Sequence, residues 1–87
     1  MQPAKLDDNS PGARIYRLLK DRGDWTSNID IVAETRVIAP STWVSAIRMR
    51  LAQEPWRGEC VPPSKLIGGV HHYRIEQVKQ GQLELCG

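Results

Sequence analysis

Three stretches of this chain carry apolar residues at steps of three and four, and a fourth stretch alternates. Ile15, Leu18 and Leu19 fall on one side of residues 12–22, with Arg14, Arg17 and Lys20 largely elsewhere and Tyr16 at the edge. Ile29, Val32 and Ala33 do the same for 28–35, and Val44, Ile47 and Leu51 for 41–53. That spacing predicts three amphipathic helices, each with an inner stripe. Local signals set their ends. Ser10-Pro11 starts the first helix, since Ser caps and Pro fits a first turn, and Gly23 stops it. Ser27 with Asp30 three residues on resembles a capping box for the second. Residues 36–40 form a turn in which Val37 or Ile38 plugs the junction, and Pro40 opens the third helix.

After Glu54 the pattern changes. Pro55-Trp56-Arg57-Gly58 ends helix three, 59–61 reads as a short strand, and Pro62-Pro63 closes it. Residues 64–69 read as an exposed, flexible tip containing Lys65 and Gly68-Gly69. Residues 70–78 are the clearest strand: Tyr73 and Ile75, with His71 beside them, share one side, and His72, Arg74 and Glu76 take the other. The expected class is α+β, three helices and a C-terminal β-hairpin. Residues 1–9 read as a flexible arm, 10–78 as the domain, and 79–87 as a tail with a short edge strand through Leu83 and Leu85. The expected core joins Ile15, Leu19, Val32, Val44, Ile47 and Leu51, with Trp25 as a further plug.

Eighty-seven residues make one small domain. The net charge of +2 says little, but its distribution does. Six of the ten acidic residues precede Thr35, whereas 35–53 and 60–75 contain none. Folding can thus gather positive charge around helix three and the hairpin. No apolar run reaches membrane-spanning length and the N-terminus lacks the apolar core of a signal peptide, so the expected location is the cytoplasm, without membrane contact. Cys60 and Cys86 are read as two free thiols, a single bridge to the C-terminus being the alternative.

Enzymatic chemistry finds no support. His71 and His72 are adjacent on a strand and point to opposite sides, and Cys60 adds at most a second ligand where a structural zinc needs four. No paired carboxylates, nucleophile–base set or phosphate-cradling loop can be assembled. No metal, cofactor or catalytic residue is expected.

Three helices followed by a hairpin with a glycine-bearing tip resemble the winged helix-turn-helix family, in particular its small phage and prophage members. The resemblance rests on IYRLLKDRG, WTSNIDIVAET, STWVSAIRMRL and VHHYRI, and spans about residues 11–78. The linker 36–40 is longer than the usual glycine-containing turn, and Trp43, Ala46 and Met49 stand where polar or basic groups are common. The resemblance implies a sequence-specific protein for double-stranded DNA, a transcriptional regulator or a recombination or replication accessory factor. Helix 41–53 would read the major groove and the 62–70 wing would touch the backbone. Carried over by position, the base-contact candidates are Ser41, Thr42, Ser45, Ala46, Met49 and Arg50; Arg50 suits guanine. Phosphate candidates are Arg36, Arg48, Lys65 and Arg74, with an intramolecular partner the alternative for Arg48. A homodimer is expected, because one such domain reads few base pairs. The competing reading is an adaptor that binds a protein partner through Trp43, Met49 and Trp56. Taken alone, helix 41–53 is also compatible with an ordinary surface helix.

Overall fold

The computed structural model describes residues 2–78. Helix α1 (Pro11–Arg22) begins after Ser10, whose hydroxyl does not cap it as expected but donates to the Lys5 carbonyl at 3.3 Å. It ends at Gly23, whose φ of 68° allows its N–H to close on the Leu19 carbonyl. Strand β1 (Thr26–Ser27) leads into α2 (Asn28–Thr35), where the Ser27 hydroxyl accepts the Asp30 amide at 3.1 Å, as the capping pattern predicts. Helix α3 (Pro40–Gln53) follows a linker in which Arg36 and Ala39 both have a φ of 61° without being glycine. Val37 is the buried plug of that linker, while Ile38 is exposed.

A 3₁₀ turn (Pro55–Arg57) separates α3 from β2 (Glu59–Cys60), β3 (Lys65–Ile67), β4 (Val70–Tyr73) and β5 (Glu76–Gln77). The molecule is thus α+β, with three helices and small antiparallel sheets. β4 lies between β1 and β3, and β2 pairs with β5. The strand expected over 70–78 is therefore two strands with a break at Arg74-Ile75, where the chain changes partner. The reason lies across the hairpin: Pro62-Pro63 has no N–H to donate, and the register shifts by one residue between the β2–β5 and β3–β4 pairings. The expected tip at 64–69 is correspondingly shorter. Lys65–Ile67 pairs with β4, leaving Gly68-Gly69 as a two-residue turn with φ of 57° and 78°, a conformation that favours glycine at both positions.

The core joins Ile15, Tyr16, Leu19, Ile31, Val37, Val44, Ile47, Leu51, Val61, Tyr73 and Ile75. α2 turns a different side inward from the one expected. Ile31 and Thr35 are buried, whereas Ile29, Val32 and Ala33 face out. Thr35 tolerates burial because its hydroxyl donates to the Ile31 carbonyl at 2.6 Å and accepts the Val37 amide at 3.2 Å.

The segment before α1 is not a free arm. Ala4 and Leu6 are buried, and the Ala4 amide donates to the Ala46 carbonyl in the middle of α3 at 3.1 Å. Arg17 holds the Asp8 carbonyl at 2.7 Å and the Asn9 side chain at 3.0 Å. Gly12 makes the approach possible, since a Cβ there would stand 2.7 Å from the Ala4 Cβ. Cys60 is disulfide-bonded, not free, which removes reduced thiols as support for a cytoplasmic location. The expectations for Cys86 and for an edge strand through Leu83 and Leu85 fall outside the described residues. Among the described residues no helix is long and apolar enough to cross a membrane.

Candidate nucleic-acid interface

At about 100° per residue, the buried positions Val44, Ile47 and Leu51 fix which side of α3 faces out. Ser41, Thr42, Ser45, Met49, Ala52 and Gln53 lie on that outer side; all are exposed except Ser45, which is half-buried. The four sequence-predicted residues Ser41, Thr42, Ser45 and Met49 are thus brought together. Gln53, with a side-chain amide suited to a base edge, joins them and was not singled out from the sequence.

Two other base-contact candidates are engaged within the fold. Ala46 is buried, covered by the segment around Ala4. Arg50 lies on the flank opposite Ser41, about 60° from Gln53, and pairs through Nε with Glu54 Oε2 at 3.2 Å. That i,i+4 pairing was readable in the sequence and draws the guanidinium toward the helix end.

Arg48 borders the outer side, one turn from Ser45 and Ala52. Its Nε and Nη2 donate to the carbonyls of Val61 and Pro62 at 3.1 and 3.2 Å. The intramolecular alternative therefore applies, with backbone oxygens in place of an acidic residue. Those two carbonyls need such a donor because Pro62 and Pro63 interrupt the ladder. Arg48 thereby ties α3 to the base of the hairpin beside the Ser41–Ser45 side, at the expense of its own availability to phosphate.

Arg36 is exposed and, among the described residues, its side chain makes no ion pair. Lys65 likewise has no carboxylate partner there, but its Nζ sits 5.7 Å from the centre of the Trp25 ring. Arg74 stands over the same ring, Cζ at 5.5 Å, and lies 3.9 Å from Asp24 and 3.6 Å from Glu76. Trp25 is half-buried and serves as a ring between cations, not as the core plug expected of it. No sequence signal announces this, because the three residues meet only through sheet register. No match to this chain emerged from protein-family models, curated proteins or solved structures.

A second charged cluster is built on Tyr16 and Lys20 of α1. The Tyr16 hydroxyl donates to the buried Glu59 carboxylate, and Lys20 Nζ pairs with its other oxygen at 3.0 Å. Burial, then the hydrogen bond to Glu59, pushes the Tyr16 phenol up from its ordinary value. The Lys20 ammonium is also raised, first by its hydrogen bond to Glu59. Nearby, Arg57 bonds Glu54 and holds its carboxyl below the usual range. Arg50 and Arg57 share Glu54, and Arg57 also reaches Asp7 at 3.4 Å.

The protein-interface candidates separate. Trp43 is half-buried and packs on the core, Met49 is 38% exposed, and Trp56 is 76% exposed on the 3₁₀ turn. Between Trp43 and the N-terminal segment lies an open hollow of about 400 Å³ bordered by Pro3, Ala4, Thr42 and Ala46. His71 and His72 are engaged separately, His71 with the Ser64 hydroxyl at 3.3 Å and His72 with the Val70 carbonyl at 2.9 Å.

Proposed function

We propose that this chain binds double-stranded DNA in the manner of a winged helix, with the outer side of α3 in the major groove. The observation that carries the reading is an acid-free α3 surface of small and hydrogen-bonding groups, joined through Arg48 to a hairpin whose Lys65 has no carboxylate partner among the described residues. Thr42, Ser45 and Gln53 supply hydrogen-bonding groups for base edges, and Met49 an apolar contact for a thymine methyl. Arg36 and Lys65 are the cations assigned to phosphates. Arg50 contributes instead to the end of α3, and Ala46 to packing. A role in regulating transcription, or in assisting recombination or replication, is the functional setting we propose, with two copies acting together where specificity demands a longer site.

A second reading is a protein adaptor. It is favoured by apolar side chains left outside on α2, where Ile29 is 63% exposed one turn from Val32 and Ala33, and by the exposed Trp56. Titration of a pooled random duplex at two salt concentrations separates the two. The DNA reading expects affinity that falls as salt rises, because phosphate contacts release counterions. A folded sample that fails to bind any duplex at low salt and micromolar concentration overturns it and leaves the adaptor.

A further inference from the structure

The outer side of the three-stranded sheet carries its own arrangement. Ser27, His72 and Lys65 lie in one row across β1, β4 and β3. Thr26 and Tyr73, in the neighbouring row, are both buried, so the Ser27 row points away from the core. Trp25 lies two residues before Ser27 and Arg74 two after His72, which puts them on this same side. Lys65 opens β3 and Arg74 follows β4, so one indole touches a cation from each arm of the hairpin.

An aromatic ring holds a cation differently from a carboxylate. Its face attracts the charge through the ring quadrupole but adds no opposite charge, so the field of the cation persists beyond it. The ring also limits the rotamers of a long side chain, lowering the ordering cost when a ligand arrives. Asp24 and Glu76 lie near Arg74 and partly offset it; neither pairs with Lys65. His72 is the other titratable group on this side, and its Nδ1 is taken by the Val70 carbonyl.

We propose that Trp25 is a positioning residue that presents Lys65 and Arg74 as a paired station for the phosphate backbone of duplex DNA. The assignment rests on the DNA reading above and goes further by giving the wing cations a fixed address. Trp25→Phe keeps an aromatic face under both cations, whereas Trp25→Leu keeps apolar bulk without one.

The test follows the salt dependence of binding to a random duplex for the wild type and both variants, alongside the carbon and proton shifts of the Lys65 ε-methylene in the free protein. In the wild type and in Trp25→Phe, the ε-methylene protons should be shifted upfield by the ring. Trp25→Leu should lose the shift and bind with a shallower dependence of log K on log salt, by about one unit for each phosphate no longer neutralised. An unshifted Lys65 ε-methylene in the wild type overturns the proposal and needs no variant to fold. Unchanged salt dependence in a folded Trp25→Leu overturns it as well. A wild type that binds no duplex rejects the DNA reading itself and this assignment with it; duplex binding with either of the two failures above rejects only the role of Trp25.

Discussion

Tyr16 and Trp25 each gather cations, with opposite results. Around Tyr16, Lys20 and Arg57 lie over the ring at 5.1 and 6.0 Å, but Glu59 and Glu54 neutralise them. Around Trp25, Lys65 and Arg74 lie at similar distances; Asp24 and Glu76 partly offset Arg74, but Lys65 has no carboxylate partner among the described residues. The first cluster joins α1 to β2 and ends in a buried carboxylate; the second joins the start of β1 to the hairpin and keeps the Lys65 charge facing solvent. Similar residue types thus fasten the fold in one cluster and leave an exposed lysine in the other. What separates Lys20 from Lys65 is whether a carboxylate lies within reach.

The largest effect that sharpens this contrast is on stability. Glu59→Ala strips the Tyr16 hydroxyl of its acceptor and Lys20 of its partner, and should cost about 1–3 kcal/mol in chemical denaturation. A loss no larger than that of an ordinary surface substitution would show that the Tyr16 cluster is not a fastening at all.

A smaller effect is the alkaline response. The folded-state values of Tyr16 and Lys20 both lie above their ordinary 10.0 and 10.5, so the protonated forms favour the folded chain. Their contribution is whole below about pH 10 and is lost as pH rises through the raised values. Denaturation midpoints measured across that range should fall in the wild type and fall less steeply in Glu59→Gln. Glu54 acts at the other extreme: its lowered carboxyl contributes fully above its ordinary 4.5, and that contribution is lost as pH falls on through the lowered value.

The smallest stability effect belongs to the other cluster. Lys65→Ala should change unfolding free energy by less than about 0.5 kcal/mol, yet weaken binding to all duplexes alike. A large stability loss with unaltered duplex affinity would reverse the contrast between the two clusters.

The parts of the fold governed by local chemistry were legible in the sequence. Pro11, Gly23 and Ser27 place helix ends through neighbours one to four residues away, and Gly68-Gly69 marks its turn in the same manner; the Ser10 hydroxyl, expected to cap α1, turns back to Lys5 instead. The inner side of α2 was not legible. Its eight residues offer one stripe through Ile31 and Thr35 and another through Ile29, Val32 and Ala33. Apolarity favours the second; packing against α1 and the sheet selects the first, with Thr35 satisfied by its own turn. At the interface, the outward placement of Ser41, Thr42, Ser45 and Met49 followed from helical period. The engagement of Arg48 depends on two carbonyls freed by distant prolines, and the ring under Lys65 depends on strand register. Neither leaves a trace in nearby residues.

The missing side chain of Gly12 has a reach beyond its own helix. A methyl group there would act as a wedge, driving Ala4 off and breaking its hold on the Ala46 carbonyl. The Ala46 flank of α3, now walled off by the chain's first residues, would then open to solvent and widen the helix surface available to a partner. The breadth of that surface is set by a glycine more than thirty residues earlier in the chain, on a different helix.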